Sequence, residues 1–193
     1  PDHWHAPIAL AALALKKPVY CAKPLTHTVW EARKITEAAA DAGVATQMSV
    51  QANATEEHRL IAEWIKAGLI GKVEEVHTWS NRPVWPQGIA RPSGTPNVPG
   101  NIDWNQWLGP APERPYHPAY HPFKWRGFWD FGCGALGDMG CHHLDPIFRA
   151  LNIAVVQSVE AESEGLNDES APNKATVTYE FASWGPRPFK VFW

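Results

Sequence analysis

The sequence predicts an α/β (α+β) protein, and three patterns support this class. Helical and strand-like segments alternate at short intervals between residues 1 and 52, which is typical of βαβ units around a parallel sheet. Apolar and polar residues alternate between residues 174 and 183, which indicates a strand with one covered face. A proline-rich stretch with almost no periodicity lies between them, so a long loop separates the two patterned regions.

The composition is that of an ordinary globular protein. The chain has 193 residues, of which 45% are hydrophobic and 19% charged, enough for one core or for two small subdomains. The net charge of −3 is spread without blocks, so we expect no nucleic-acid or membrane-surface partner. The longest apolar run, residues 8–15, is too short to span a bilayer.

The ends of the chain and its cysteines give expectations about its completeness and its cellular compartment. The sequence starts at Pro1 directly in a helix pattern and stops inside a strand pattern, so we expect a segment of a longer protein. Three cysteines without Cys-x-x-Cys spacing predict neither a disulfide framework nor a zinc finger. A cytoplasmic, reducing compartment is the default, and an upstream export signal is the alternative.

A helix and a strand open the chain. Asp2 is a candidate N-cap for a helix over residues 3–15, whose buried side is filled by Ala and Leu. Residues 18–21 then predict a short buried strand.

The second helix has signals at both ends. Thr28 and Glu31 form a capping-box pattern at its start, and Gly43 ends it. Its apolar positions recur at helical spacing, at Val29, Ala32, Ile35 and Ala39. Residues 44–50 predict the strand that follows.

The third helix starts at the pattern Asn53-x-x-Glu56 and ends near Gly68. Its predicted inner face consists of Leu60, Ile61, Trp64 and Ile65. Residues 73–80 form the next predicted strand.

The loop region covers residues 82–122 and holds ten of the eighteen prolines. A loop of this length in a compact domain is functional or disordered. Its aromatic residues argue against disorder, namely Trp104, Trp107, Tyr116 and Tyr120.

One helix and three strands are predicted in the remainder. The helix covers residues 138–151, and Pro146 makes it start late or kink. Its inward positions are Leu144, Ile147, Phe148 and Leu151. Residues 155–163, 174–183 and 189–193 predict strands.

The densest group of reactive side chains lies at the start of that helix. Asp138, His142 and Asp145 have the spacing i, i+4, i+7, which places them on one helical face. A carboxylate one turn from an imidazole orients it and raises its basicity, so that it takes a hydroxyl proton near neutral pH. The alternative is that Asp138 caps the helix while His142 makes a buried hydrogen bond.

Two weaker groups lie near the beginning of the chain. His3 and His5 are candidate metal ligands, or one of them is a solvated residue at a capped helix start. Lys23 precedes Pro24 at the carboxyl end of a predicted strand, where open α/β sheets bind ligands. The alternative for Lys23 is a surface lysine in a turn.

The order of these groups resembles the Gfo/Idh/MocA family, named for glucose–fructose oxidoreductase and inositol dehydrogenase. His5 at a helix start comes first, followed by Lys23-Pro24 after a strand, Gln51 at a strand end, and Asp-x-Gly-x-His-x-x-Asp from Asp138. The resemblance covers essentially the whole chain. It implies a Rossmann domain, here a C-terminal remnant over residues 1–52 that lacks most of the parallel sheet. An open, mostly antiparallel sheet with helices on one face follows, as the truncated substrate and oligomerisation domain over residues 53–193.

The resemblance also assigns a cofactor side. Asp2 and His5 match positions near the nicotinamide ribose, and Lys23 and Pro24 match the Glu-Lys-Pro motif, whose lysine lies between nicotinamide and substrate. The implied cofactor is NAD or NADP.

The catalytic and substrate positions follow in the second half. Asp138 and His142 match the acid/base pair, Asp145 closes the motif, and His143 and Gln51 are assigned with Asp145 to the substrate. The implied reaction is dehydrogenation of a sugar or polyol hydroxyl, with Lys23 positioning the reacting groups.

Two departures concern the cofactor. We expect no Gly-x-Gly-x-x-Gly anywhere in this chain, because the family carries this pyrophosphate-cradling motif in its first Rossmann strands, which would precede Pro1. Ala22 stands where the Glu-Lys-Pro motif has its glutamate. We therefore expect weak or lost NAD(P) binding by this chain, and its own activity stays open.

Two other functions fit the same residues. A metal-dependent hydrolase of lactones or esters would use a cluster of ligands to activate water. Its candidate metal ligands are His3, His5, His142 and His143, with Asp138 and Asp145 nearby in sequence. A non-catalytic sugar-binding module would use the aromatic loop between residues 82 and 129. An unpaired strand edge left by a shortened sheet predicts a homo-oligomer.

Overall fold

Two separate sheets organise the computed structural model, which describes residues 1–153, 155–182 and 189–193. The α-helices are α1 (His5–Ala14), α2 (Val29–Ala42), α3 (Glu56–Lys66), α4 (Trp104–Leu108), α5 (Gly134–His143) and α6 (Asp145–Leu151). The strands are β1 (Val19–Ala22), β2 (Thr46–Ser49), β3 (Glu75–His77), β4 (Val156–Glu164), β5 (Lys174–Phe181) and β6 (Phe189–Phe192). Three short 3-10 helices cover Asp2–Trp4, Gln51–Ala54 and Lys124–Gly127. Within the described ranges, no helix is long and apolar enough to cross a membrane.

The first sheet contains β1 and β2, which pair in parallel as the sequence predicts. The helix between them begins at a complete capping box of Thr28 and Glu31 and ends at Gly43, whose φ of 64° is left-handed. Helices α1 and α2 pack together through a cluster of buried residues, Ala6, Ala9, Leu13 and Ile35. The prediction that the first strand is buried is wrong, because none of its four residues is buried and Tyr20 is 71% exposed.

The second sheet has the order β3-β6-β5-β4. The pairs β4–β5 and β5–β6 are antiparallel and β3–β6 is parallel, which confirms the mostly antiparallel sheet. Helices α3 and α6 cover part of it, and the shared core comprises Ala62, Ala150, Leu151, Ile153, Phe181, Phe189 and Val191. Along β5, Val177 and Phe181 are buried, which agrees with the predicted alternation. Strand β4 forms one edge and is exposed along its whole length, and the association expected from an open edge stays a prediction.

The helices around this sheet differ from the expectations in two places. The segment predicted as a helix over residues 138–151 is two helices that meet at Leu144, and α5 starts earlier, at Gly134. The interruption agrees with the late start or kink expected from Pro146, which lies in the first turn of α6. The start of α3 also differs, because Thr55 is its N-cap residue and Asn53 instead accepts a hydrogen bond from Arg149 on α6. On α3 the buried residue is Ala62, while two members of the predicted inner face, Ile61 and Trp64, are exposed.

The long loop region is ordered around aromatic side chains. Its core cluster comprises Leu108, Tyr120, Trp125, Phe128 and Phe131. Trp104 and Trp107 stack in parallel, with ring centroids 4.8 Å apart, on the border of this cluster. Because few backbone ladders exist here, side-chain packing holds the loop in place.

A buried arginine ties this aromatic cluster to the rest of the chain. The side chain of Arg114 is only 3% exposed, and it forms ion pairs with Asp130 and Glu169. Its guanidinium also lies 5.3 Å from the ring centroid of Tyr120 and 5.0 Å from that of Phe131. Such a charge is stable in the interior only because both partners and both ring faces are present.

Replacing Arg114 by Met should therefore destabilise the fold by about 3–5 kcal/mol, since two carboxylates lose their buried partner. Urea unfolding followed by tryptophan fluorescence measures this free energy. Arg91→Met is the matched control, because Arg91 pairs with the same Glu169 but is 58% exposed. Its loss should stay within about 1 kcal/mol. Equal losses in the two variants would contradict the anchoring role of Arg114.

Candidate active site

Lys23 and Asp138 are in direct contact, although they come from opposite halves of the chain. The Nζ atom of Lys23 donates to Oδ1 and to the main-chain oxygen of Asp138, at 2.7 Å each. Both side chains are 18% exposed, so the pair is shielded but still reachable from solvent. Lys23 follows the carboxyl end of β1, and Asp138 lies in the middle of α5. The fold thus brings two of the predicted site motifs together.

His5 and Asp2 contact the segments on either side of this ion pair. His5 Nδ1 lies 2.6 Å from the carbonyl oxygen of Pro24, to which it donates. Asp2 is buried, and its Oδ2 accepts a hydrogen bond of 3.2 Å from the amide of Cys133, the N-cap residue of α5. The prediction that Asp2 caps the first helix is wrong, because that helix begins with a 3-10 turn that has no side-chain cap. Burial raises the pKa of the Asp2 carboxyl.

His142 lies one helical turn after Asp138 and is neutral at pH 7. Burial lowers the pKa of its imidazole, the Lys23 ammonium lowers it further, and Asp138 acts in the opposite direction. Asp138 thus raises the basicity of the imidazole as expected, but burial and the Lys23 ammonium outweigh it, so the net shift of the pKa is downward. The alternative that Asp138 caps the helix is wrong as well, since Cys133 holds that position.

Asp145 lies on α6 and not on the helix of Asp138 and His142, because the helix breaks between them. The expectation of one continuous helical face for all three is therefore wrong. The Oδ2 atom of Asp145 is buried without a hydrogen-bond partner among the described residues, and the same holds for Nδ1 of His58 on α3. The charge of His58, when protonated, lowers the pKa of His142, so His58 is a nearby residue that sequence reasoning missed.

The two remaining predicted substrate residues lie on other elements. Gln51 begins a 3-10 helix and is exposed, and in the described ranges no hydrogen bond joins it to Lys23, Asp138 or His142. His143 ends α5, and its ring centroid lies 5.9 Å from that of Trp193. The substrate roles of both stay predictions.

The side chains proposed as metal ligands point to different partners. Nδ1 of His3 lies 3.3 Å from the carbonyl of Phe131, and Nε2 lies 3.2 Å from that of Trp107. Burial lowers the pKa of this imidazole. Across residues 1–153, 155–182 and 189–193, no group of three or more His, Cys, Asp or Glu side chains is placed to hold a metal ion. The cluster required by the hydrolase alternative is thus not formed by the described residues.

Arg126 adds a second cation to the site, and sequence reasoning missed it. Its Nε lies 3.8 Å from Oδ1 of Asp138, and its side chain is 27% exposed. A signal was present, because the residue lies among the aromatic side chains of the segment Phe123-Lys-Trp-Arg-Gly-Phe-Trp129.

A cavity of about 150 Å³ lies elsewhere in the chain. Its lining consists of His3, His27, Glu31, Pro110, Ala111, Pro112, Trp129 and Asp130. It is smaller than the roughly 300–1,000 Å³ of small-molecule sites. We therefore place the candidate site at the Lys23–Asp138 pair.

Residues 63–184 match the family model described as the oxidoreductase family, C-terminal alpha/beta domain, of Gfo/Idh/MocA proteins. The match extends over more than half of the chain, from α3 to the end of β5. The chain belongs to the Gfo/Idh/MocA family. The matched range contains strands β3, β4 and β5 of the second sheet together with α5 and α6.

Relatives of this Gfo/Idh/MocA chain agree with the family. Inositol 2-dehydrogenase from Rubrobacter xylanophilus is 35% identical over 72 residues, which cover 37% of this chain and 21% of that protein. The WlbA dehydrogenase from Bordetella pertussis, solved with NADH and UDP-GlcNAcA, has a TM-score of 0.64 at 17% identity, over 100% of this chain and 48% of that one. An NAD-binding oxidoreductase from Klebsiella pneumoniae has a TM-score of 0.61 at 23% identity, and the match covers 100% of this chain and 45% of that one. These structures share the fold, and this chain spans less than half of their length.

The expectation that the chain holds no Gly-x-Gly-x-x-Gly is wrong, because this spacing occurs outside the parallel sheet at Gly132, Gly134 and Gly137. In dinucleotide-binding folds the motif follows a strand and opens a helix. Here it opens α5, but residues 129–133 contain no strand. The amides of Cys133 and Ala135 already donate to Asp2 and Gln87, so they are not free to bind a pyrophosphate.

The charges around His142 give a test of this geometry. Lys23→Met should raise the pKa of His142 towards its ordinary value, because a neighbouring cation is lost. Asp138→Asn should lower that pKa further, because the one neighbouring group that raises it is lost. Histidine proton NMR across pH 4 to 8 measures both, and His77, an exposed residue on β3, serves as the internal control. Shifts of the same sign in the two variants would rule out this arrangement.

Proposed function

We propose that this chain is the substrate-binding and proton-transfer part of an NAD(P)-dependent dehydrogenase that acts on a hydroxyl of a sugar or polyol. One observation carries this proposal: Lys23 and Asp138 form a shielded ion pair one helical turn from a neutral His142. An imidazole kept neutral at pH 7 can accept a proton from a hydroxyl.

Each residue of this group has its own task. His142 takes the hydroxyl proton as the carbon is oxidised. Lys23 donates to the same oxygen and stabilises the negative charge that develops on it. Asp138 touches neither reacting atom, and it holds the ammonium of Lys23 in place through its carboxylate and its main-chain oxygen.

The nicotinamide, when bound, accepts the hydride. The residues fit one end of this cofactor only. Lys23 and Pro24, with His5 against them, form a partly exposed surface at the end of β1 that suits the nicotinamide ribose. Ala22 offers no carboxylate, and the glycine-rich turn before α5 is already filled. We therefore assign residues 1–52 to the nicotinamide end and residues 53–193 to the substrate.

The curated relative points to the substrate class. Its name, inositol 2-dehydrogenase, denotes action on a polyol. The sugar-binding alternative has less support, because the loop aromatics pack into a core. Tyr116, Tyr120 and Trp125 are buried, and Trp104 and Trp107 pack on the same cluster. They are therefore used for folding rather than as open platforms.

Binding of the cofactor by this chain should be weak. A fluorescence titration with NADH is expected to give a dissociation constant well above the micromolar range, because no free amide cradle for a pyrophosphate exists in the described residues. Lys23→Ala should weaken it further. Micromolar binding, or binding insensitive to Lys23, would contradict this assignment.

Slow turnover should nevertheless depend on the histidine. At millimolar NAD⁺ and high protein concentration, a panel of polyols, neutral sugars and sugar acids is tested for NADH formation at 340 nm. His142→Ala should lower the rate by about 10²–10⁴-fold. The rate of the unaltered chain should fall as the pH drops below the ordinary pKa of histidine, since only neutral His142 accepts the proton. His77→Ala is the control and should leave the rate unchanged. Absence of NADH formation across the panel would refute the proposed activity of this chain.

A further inference from the structure

Arg126 has a fixed place beside the ion pair. It lies in the 3-10 helix Lys124–Gly127, and its guanidinium carbon is 4.4 Å from the ring centroid of Trp125 and 4.5 Å from that of Phe123. Trp85, from a distant part of the loop, lies 5.8 Å away. Rings on several sides leave the guanidinium little freedom, so its position is largely set before a ligand arrives.

Two glycines make this placement possible. A Cβ atom on Gly127 would lie 2.2 Å from the carbonyl oxygen of Pro86, and a Cβ on Gly132 would lie 2.7 Å from the main chain of Arg126. Any side chain at either position would push this segment away from its neighbours. The close approach therefore holds Arg126 against the start of α5.

The donors of Arg126 are mostly unused. Nη1 donates to the carbonyl of Phe123 at 3.1 Å. Nε is 3.8 Å from Oδ1 of Asp138, which is too long for a hydrogen bond. That oxygen already accepts a hydrogen bond from Lys23 at 2.7 Å. In the described part of the chain, no other hydrogen bond or ion pair engages this guanidinium, although a guanidinium carries five N–H donors.

The Asp138 carboxylate thus lies between the Lys23 ammonium and the Arg126 guanidinium, and it accepts a hydrogen bond only from Lys23. His142 adds no charge at pH 7, because its pKa is lowered. Asp2 directs its carboxylate to the amide of Cys133. A guanidinium that is partly shielded, immobile and short of acceptors favours a ligand carboxylate, which it can bind through two parallel N–H···O bonds.

We propose that Arg126 binds a carboxylate of the substrate, so that this site takes a sugar acid and not a neutral sugar or polyol. This inference rests on the proposed function for the position of the reacting hydroxyl. The carboxylate lies on Arg126, and a hydroxyl of the same molecule lies towards Lys23 and His142, one helical turn beyond Asp138.

The test is binding, measured without any nicotinamide nucleotide. D-glucuronate and its uncharged analogue D-glucuronamide are titrated into the chain at low salt, with ligand-detected NMR as the readout. Glucuronate should bind about tenfold more tightly or better, as expected for a charge-assisted pair. Arg126→Gln should abolish this difference between the two ligands.

Two further variants keep the test decisive. Arg126→Lys retains the charge but loses the planar fork, so a reduced preference for glucuronate should remain even if Arg126→Gln folds poorly. Arg33→Gln changes the net charge equally on the exposed surface of α2 and should leave the preference intact.

The outcomes separate the two proposals. Equal affinity of the unaltered chain for the two ligands, no binding of either, or an unchanged preference in the folded Arg126→Gln and Arg126→Lys variants would overturn the sugar-acid assignment. Turnover of neutral polyols without a preference for glucuronate would refute this inference alone. A preference that depends on Arg126, without any NADH formation, would leave it standing and refute the proposed dehydrogenation.

Discussion

The buried guanidinium of Arg114 is the interaction on which the arrangement of the site depends. Between β3 and α5 the chain has one short α-helix, α4, one 3-10 helix, Lys124–Gly127, and one isolated bridge, so almost no backbone ladder fixes this long segment. Arg114 takes over that role, because it reaches Asp130 just before α5 and Glu169 between β4 and β5. The start of α5 is thereby held in place relative to the second sheet. The positions of Arg126 and Asp138 depend on this placement of α5.

Helix α5 shows why such an anchor is needed. It contains three glycines in ten residues, a composition that disfavours an isolated helix. Contacts from elsewhere compensate for this: Asp2 and Gln87 accept from amides at its start, and Lys23 binds its middle. The helix that carries His142 is therefore complete only when residues 1–52 are docked on it. The predicted boundary between domains runs through the site, and neither half would form the site alone.

The sequence predicted the elements whose signals are local. Thr28, Glu31 and Gly43 mark both ends of α2 within a few residues, and alternation along β5 shows its buried face without knowledge of any partner. For Arg126 the local signal was only its aromatic neighbours in sequence, because Trp85 and Asp138 reach it only through the tertiary fold. Pro146 signalled the break before α6 locally. The start of α5 at Gly134, ahead of the predicted start at residue 138, escaped because capping from distant residues outweighs the low helix propensity of glycine. The order of Lys23, Asp138 and His142 nevertheless identified the family before any contact was known.

Ala22 connects these observations. A glutamate before Lys23 would give its ammonium a carboxylate partner on the same strand end, whereas an alanine cannot. Asp138 is the carboxylate that Lys23 binds instead, with two contacts of 2.7 Å. Burial and the Lys23 ammonium lower the pKa of the His142 imidazole, and Asp138 opposes them only in part. Asp138 also leaves Arg126 without a close acceptor. With alanine at position 22, Asp138 is the carboxylate that Lys23 binds, and the carboxylate proposed for the substrate would be the close acceptor for Arg126.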